Sequence, residues 1–200
     1  MSHFLVVVAG LLLIGGSGSP SAQAAKRSVP REFDHVRTLG RALSEFRDDR
    51  IQVVAAYYYS QLNHDSPWLL IEVGALGERL TEIDRTGIEL VTPTGRVVPL
   101  ASQARWGADS RRNALLLQQA ITSRHPVYSY FAPTNGRQRF PFFTRPPGGG
   151  TVRDVVFLKP KELVFGDLLF ESPTRLWDKG THALLIRYDG AEAVLPIELR

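Results

Sequence analysis

Apolar side chains recur along this chain at several spacings, and each spacing predicts a different element. Phe4 to Ile14 is an almost unbroken apolar run. Further on, Phe33, Val36, Leu39, Leu43 and Phe46 return at steps of three or four, the period of an amphipathic helix. Gly40 falls inside that stretch, where glycine costs about 1 kcal/mol against alanine. Arg31 to Arg50 holds five arginines and five acids. Such a helix has no basic face with which to lie on an anionic membrane, so it is expected to pack on the domain.

From Ile51 the spacing shortens towards two, the period of a strand. Ile51 to Gln61 reads as one strand, Asn63 to Pro67 as punctuation and Trp68 to Leu76 as the next strand. Ile88 to Thr92 and Arg96 to Leu100 flank Pro93-Thr94-Gly95 as a hairpin. Pro99 has no N–H to give, which places its strand at a sheet edge or beside a bulge. A second helix is expected from Asp109 or Ser110 through Ser123, burying Ala114, Leu117 and Ile121 and stopped by Pro126. Strands resume at Val127 to Phe131, Val152 to Leu158 and Leu163 to Phe170. His182 to Tyr188 alternates, Asp189-Gly190 offers a two-residue turn, and Ala193, Leu195, Ile197 and Leu199 complete a final hairpin.

Together these elements predict a mainly β chain. The expected fold is an antiparallel sandwich of about eight strands with one or two short accessory helices. The N-terminal link and helix would occupy residues 25–50 and the sandwich residues 51–200.

The C-terminal half resembles the closing strands of immunoglobulin-like domains in bacterial exported proteins. Trp177-Asp178-Lys179-Gly180-Thr181-His182-Ala183-Leu184-Leu185-Ile186, then Asp189-Gly190 and Leu195-Pro196-Ile197-Glu198-Leu199, carry that resemblance. Ile88 to Leu100 is similar to hairpins in proteins of the same kind. The resemblance implies an immunoglobulin-like architecture and no particular activity, because such folds host many functions.

The apolar run at the start is followed by small, turn-prone residues from Gly15 to Ser21 and then Ala22-Gln23-Ala24. That order predicts a secretory signal peptide over residues 1–24, cut after Ala24. Met1-Ser2-His3 carries no Lys or Arg, so an uncleaved anchor is the alternative. The run is short of the ~20 residues that span a bilayer. The expected location is periplasmic or secreted.

The chain has no cysteine. Disulfides, thiolate metal sites and cysteine nucleophiles are therefore excluded. The net charge is +4, but it is unevenly spread. Arg124, Arg137, Arg139, Arg145 and Arg153 occur with no acid among them, which predicts a local basic surface.

Catalytic motifs are missing: there is no G-x-S-x-G, no H-E-x-x-H and no P-loop. No metal or cofactor is called for. His64-Asp65 precedes Pro67 and reads as a turn cap. His182 shares a strand face with Leu184 and reads as a structural histidine. Tyr128 to Arg153 interleaves aromatics with arginines. From it, Arg137, Arg139, Phe140, Phe142, Phe143 and Arg145 form the candidate binding set, since arginine and aromatic residues are enriched at binding hot spots. The alternative is a hairpin whose phenylalanines tuck into the core. Three functions follow. The first is a non-enzymatic exported domain that binds an envelope protein or anionic polymer through this loop. The second is a hydrolase with a loop-built site. The third is a structural subunit joined by edge-strand pairing. Nucleic acid is a poor partner for an exported chain.

Overall fold

The computed structural model describes residues 26–144 and 150–200. The signal segment with its cleavage site, and Arg145, lie outside the described residues. The protein is mainly β, as expected, but among the described residues it has twelve strands where about eight were expected, with three short α-helices. The surplus is Val36–Gly40 and Leu43–Arg47, whose apolar spacing mimics a helix, and the four-residue strands Thr81–Asp84 and Gly136–Arg139, too short to carry a clear period.

Six strands form the larger sheet: β1 (Val36–Gly40), β2 (Leu43–Arg47), β3 (Ile51–Ala56), β4 (Trp68–Gly77), β8 (Gly136–Arg139) and β10 (Glu162–Glu171). Their spatial order is β1-β2-β3-β4-β10-β8. A four-stranded sheet runs β12 (Ala191–Leu199), β11 (Gly180–Tyr188), β6 (Ile88–Val91), β7 (Val97–Pro99). A third sheet pairs β5 (Thr81–Asp84) with β9 (Val155–Leu158). Pairing is antiparallel except between β8 and β10, which run parallel. No helix among the described residues is long and apolar enough to cross a membrane.

The main core lies between the two larger sheets. Phe46, Val53, Val73, Ala75 and Phe170 face Ile88, Leu184, Ile186, Leu195 and Ile197 in one buried cluster. The last hairpin follows the sequence pattern. Leu184 pairs with Leu195, and Asp189 (φ 43°) and Gly190 (φ 74°) both take left-handed conformations at the turn, as a primed hairpin turn demands. Pro99 sits on the edge strand β7.

Several expectations are corrected. The helix over Phe33 to Phe46 is instead the β1–β2 hairpin, closed around Gly40, Arg41 and Ala42. Its three-to-four spacing was a coincidence of residues from two strands. Cross-strand pairing with β3 buries Leu43, Ser44, Glu45 and Phe46 together, and tertiary packing overrides a local period. These strands therefore belong to the larger sheet and are not a separate link. The strand begun at Ile51 stops at Ala56, and α1 (Tyr58–Leu62) follows. Val127 to Tyr130 is a 3-10 turn, not a strand. It places Val127 and Phe131 on the same side, against Gly74, where a Cβ would stand 2.7 Å from the Phe131 ring.

The second helix exists, as α2 (Gln103–Ala108) and α3 (Ser110–Ala120). The hydroxyl of Ser102 accepts from Arg105 N at 3.1 Å and caps α2. The buried stripe of α3 is Asn113, Leu116 and Ala120, while Ala114 and Ile121 are exposed. The amide of Asn113 donates to the Trp106 carbonyl. A buried polar residue held in this way is invisible to a count of apolar spacing.

Candidate functional site

The outer face of the six-stranded sheet positions the site. Strand residues alternate between faces, so the pairing register alone fixes which side chains share this one. Leu70 opposite Leu169, Glu72 opposite Asp167 and Gly74 opposite Phe165 form successive rows across β4 and β10. The row through Phe165 ends at Arg139 on β8, and Arg137 lies two residues away on the same face.

The segment from Ala101 to Phe131 crosses this face and touches it at two ends. At one end Trp106, Leu116 and Ala120 pack on Trp68, Leu70 and Leu169. The Trp68 and Trp106 rings meet edge to face at 5.1 Å. At the other end Val127 and Phe131 pack on Val54, Leu76 and Leu163. Between these anchors a cleft of about 1040 Å³ remains, with Glu72 and Asp167 on its floor and Leu117, Ile121, Tyr128, Arg139, Phe143 and Phe165 around it.

Arg124 ties the floor together. It holds Asp167 in a two-toothed pair, with Nη1 to Oδ1 at 3.1 Å and Nη2 to Oδ2 at 2.9 Å. The same guanidinium lies 3.1 Å from Glu72 Oε1. The carboxylate side chains are 8% and 4% exposed, against 36% for Arg124. Burial disfavours the guanidinium charge, but the hydrogen bond to Asp167 and the attraction of both acids outweigh it, so the Arg124 pKa is raised. His125 N donates to Glu72 Oε2 at 2.9 Å. The His125 ring is stacked between Tyr58 and Tyr130 and shares a hydrogen bond with the Tyr130 hydroxyl at 2.7 Å.

The rim carries two arginine–aromatic pairs. The Arg137 guanidinium lies 4.7 Å from the Tyr128 ring centroid, and that of Arg139 lies 5.9 Å from Phe165. Both arginines are exposed on β8. Stacking holds a guanidinium by its face and leaves its N–H edge for an anion.

The structure divides the sequence-derived set. Arg137, Arg139 and Phe143 are on or beside the cleft. Phe140 also lines the cleft, although it is 6% exposed and stacks on Phe142 in the main core, while Phe142 is 0% exposed and does not line it. Asn135-Gly136 does not project a hairpin tip either, because Gly136 opens a strand paired parallel to β10. The Arg85 guanidinium donates to the carbonyls of Ala101 and Phe142 and lies 4.8 Å from the Phe143 ring, pinning this segment to the sheet.

Sequence reasoning missed Glu72 and Asp167. The available signal was a single acid inside each of two apolar strands, Leu69-Leu70-Ile71-Glu72-Val73 and Asp167-Leu168-Leu169-Phe170. Such a residue is buried only where it is paired. His182 is 0% exposed, with Nδ1 3.3 Å from the Gly180 carbonyl and its ring edge-on to Trp177 at 6.0 Å. Among the described residues, no group of three or more His, Asp or Glu is placed to hold a metal. No family model, no curated protein and no solved structure matches this chain.

Proposed function

We infer that the protein is an exported, non-enzymatic recognition domain that binds an anionic polymer of the cell envelope at the β8 rim. The observation that carries this reading is the placement of Arg137 and Arg139 on one exposed strand face, each resting on an aromatic ring. Guanidinium forks suit carboxylate and phosphate. A side chain already held in place loses less freedom on binding. The apolar run at Phe4 to Ile14 and Ala22-Gln23-Ala24 support export. An immunoglobulin-like character of the two packed sheets belongs to the same proposal.

Co-sedimentation with insoluble envelope material tests it. Wild-type protein is expected in the pellet at low salt, and the Arg137→Ala, Arg139→Ala double variant in the supernatant. Equal partition of the two proteins would refute the reading.

A second reading, a hydrolase, draws on Glu72 and Asp167 lying in one cleft beside His125. Against it, Arg124 contacts both carboxylates, an arrangement that fixes charge and does not free an oxygen for proton transfer. Hydrolysis of a glycan or ester panel that is lost in Glu72→Gln would favour this second reading.

A further inference from the structure

We propose that the face formed by α3, the crossing segment and β8 rests on an anionic lipid surface. This goes beyond the polymer reading, because it assigns a role to exposed aliphatic side chains that a soluble polyanion does not contact. Three features carry it.

The first is charge. Residues 110–153 hold seven arginines and no Asp or Glu. The fold brings the described ones to one side of the larger sheet. α3 lies over the outer face on Leu116 and Ala120, and Arg137 and Arg139 stand on that same face over Tyr128 and Phe165. The outer-face acids of β4 and β10, and the one that precedes α3, are each held by an arginine. Arg124 holds Glu72 and Asp167, Arg105 holds Glu171 and Arg112 holds Asp109. Among the described residues Arg111, Arg137 and Arg139 are exposed there with their charge uncompensated.

The second is where two of the arginines sit. Arg111 and Arg112 are in the first turn of α3, which contains no acid. A helix N-terminus carries partial positive charge and disfavours cations. Helix stability therefore does not account for this pair.

The third is apolar. Leu115 is 58% and Ile121 63% exposed, less than two helical turns apart. Ala114 is exposed between Arg111 and Ile121 as well. All three stand away from the buried stripe of Asn113, Leu116 and Ala120. Aliphatic side chains set among arginines match a bilayer boundary, where the apolar groups enter and the cations meet anionic headgroups. A soluble anionic chain supplies the second contact and not the first.

The test is co-sedimentation with sucrose-loaded vesicles, made of phosphatidylcholine alone or mixed with phosphatidylglycerol. Three proteins are compared: wild type, the Leu115→Gln, Ile121→Gln double variant, and Leu80→Gln. Leu80 is 63% exposed and follows β4 at the end away from Trp68, where α3 is anchored, so it serves as the control. Wild type is expected to bind the phosphatidylglycerol vesicles, to leave them at high salt and to bind phosphatidylcholine little. The double variant is expected to bind about tenfold more weakly, the loss of two small apolar contacts, and Leu80→Gln to bind as wild type does. All three should bind soluble oligogalacturonate equally, because that polycarboxylate meets the rim arginines alone. Equal vesicle binding by wild type and the double variant, or no binding of wild type to the anionic vesicles, overturns the lipid inference. Wild type that dimerises in sedimentation velocity while the double variant stays monomeric assigns the face to a second copy and overturns it too. Oligogalacturonate binding that persists in those cases leaves the polymer reading standing, and its absence overturns that reading as well.

Discussion

Glu72 and Asp167 stand directly opposite each other on neighbouring antiparallel strands, and Arg124 reaches both. Like charges in directly opposed cross-strand positions repel. Arg124, which enters from the crossing segment, offsets that repulsion. The same contact ties that segment to the sheet between its two apolar anchors. Removing Arg124 leaves the two acids opposed at buried positions. Arg124→Ala is expected to cost about 2 kcal/mol, between an exposed pair and a fully buried one. Chemical denaturation measures it, and a cost under about 0.5 kcal/mol, the usual surface value, contradicts the clamp.

Phe142→Ala is expected to cost about 3–5 kcal/mol, because the ring is 0% exposed within the main core. Ile121→Ala should change stability by no more than about 0.5 kcal/mol, since Ile121 is 63% exposed. Thermal melts of the two variants separate core from cleft rim. Equal losses would show that the phenylalanine segment is misplaced.

Gly74 is small because Phe131 occupies its Cβ direction at 2.7 Å. Gly74→Ala should destabilise by about 1–3 kcal/mol through overpacking. Combined with Phe131→Ala, its effect should shrink, since contacting residues are not additive. A double variant whose losses simply add would argue against this contact.

Acid should weaken the fold through His182. Burial pushes its pKa down, against the Gly180 carbonyl and the charges of Asp178 and Glu198. A histidine with a depressed folded pKa binds its proton more readily when unfolded, so stability falls as pH drops below the unfolded value of about 6.5. Asp48 is also shifted, downward: burial opposes the shift, but hydrogen bonds from Tyr188, Ile51 and Arg50 outweigh it. As a carboxylate it titrates well below the histidine window. Wild type should lose stability between about pH 7 and 5, and His182→Gln should show a flatter profile there. Parallel profiles would exclude His182 as the cause.

The final hairpin was legible because a period-two pattern and an Asp-Gly turn both report local geometry. The β1–β2 hairpin was not, because Phe33 to Phe46 mixes inward Phe46 with outward Leu43 and a buried Glu45 whose partners, Arg37 and Gln52, lie on two other strands. Part of the candidate site was visible as arginines among aromatics. Its floor was not, because Glu72, Arg124 and Asp167 converge from positions far apart in the chain, and only register brings them together. Phe142 looked alike in sequence to Phe140 and Phe143, and packing alone distinguishes it, enclosed in the core while the other two line the cleft.

The central claim is that Arg137 and Arg139 recognise an anionic polymer. The most direct measurement is the affinity for oligogalacturonate as a function of salt, for wild type and for the Arg137→Ala, Arg139→Ala double variant. Exposed charge pairs are screened over about 8 Å at physiological ionic strength, so wild-type affinity should fall steeply as salt rises. The double variant should bind weakly with a nearly flat salt dependence while its melting temperature stays unchanged. An equal affinity and an equal salt slope for both proteins would contradict the claim and leave the two arginines as a charged guard on an edge strand.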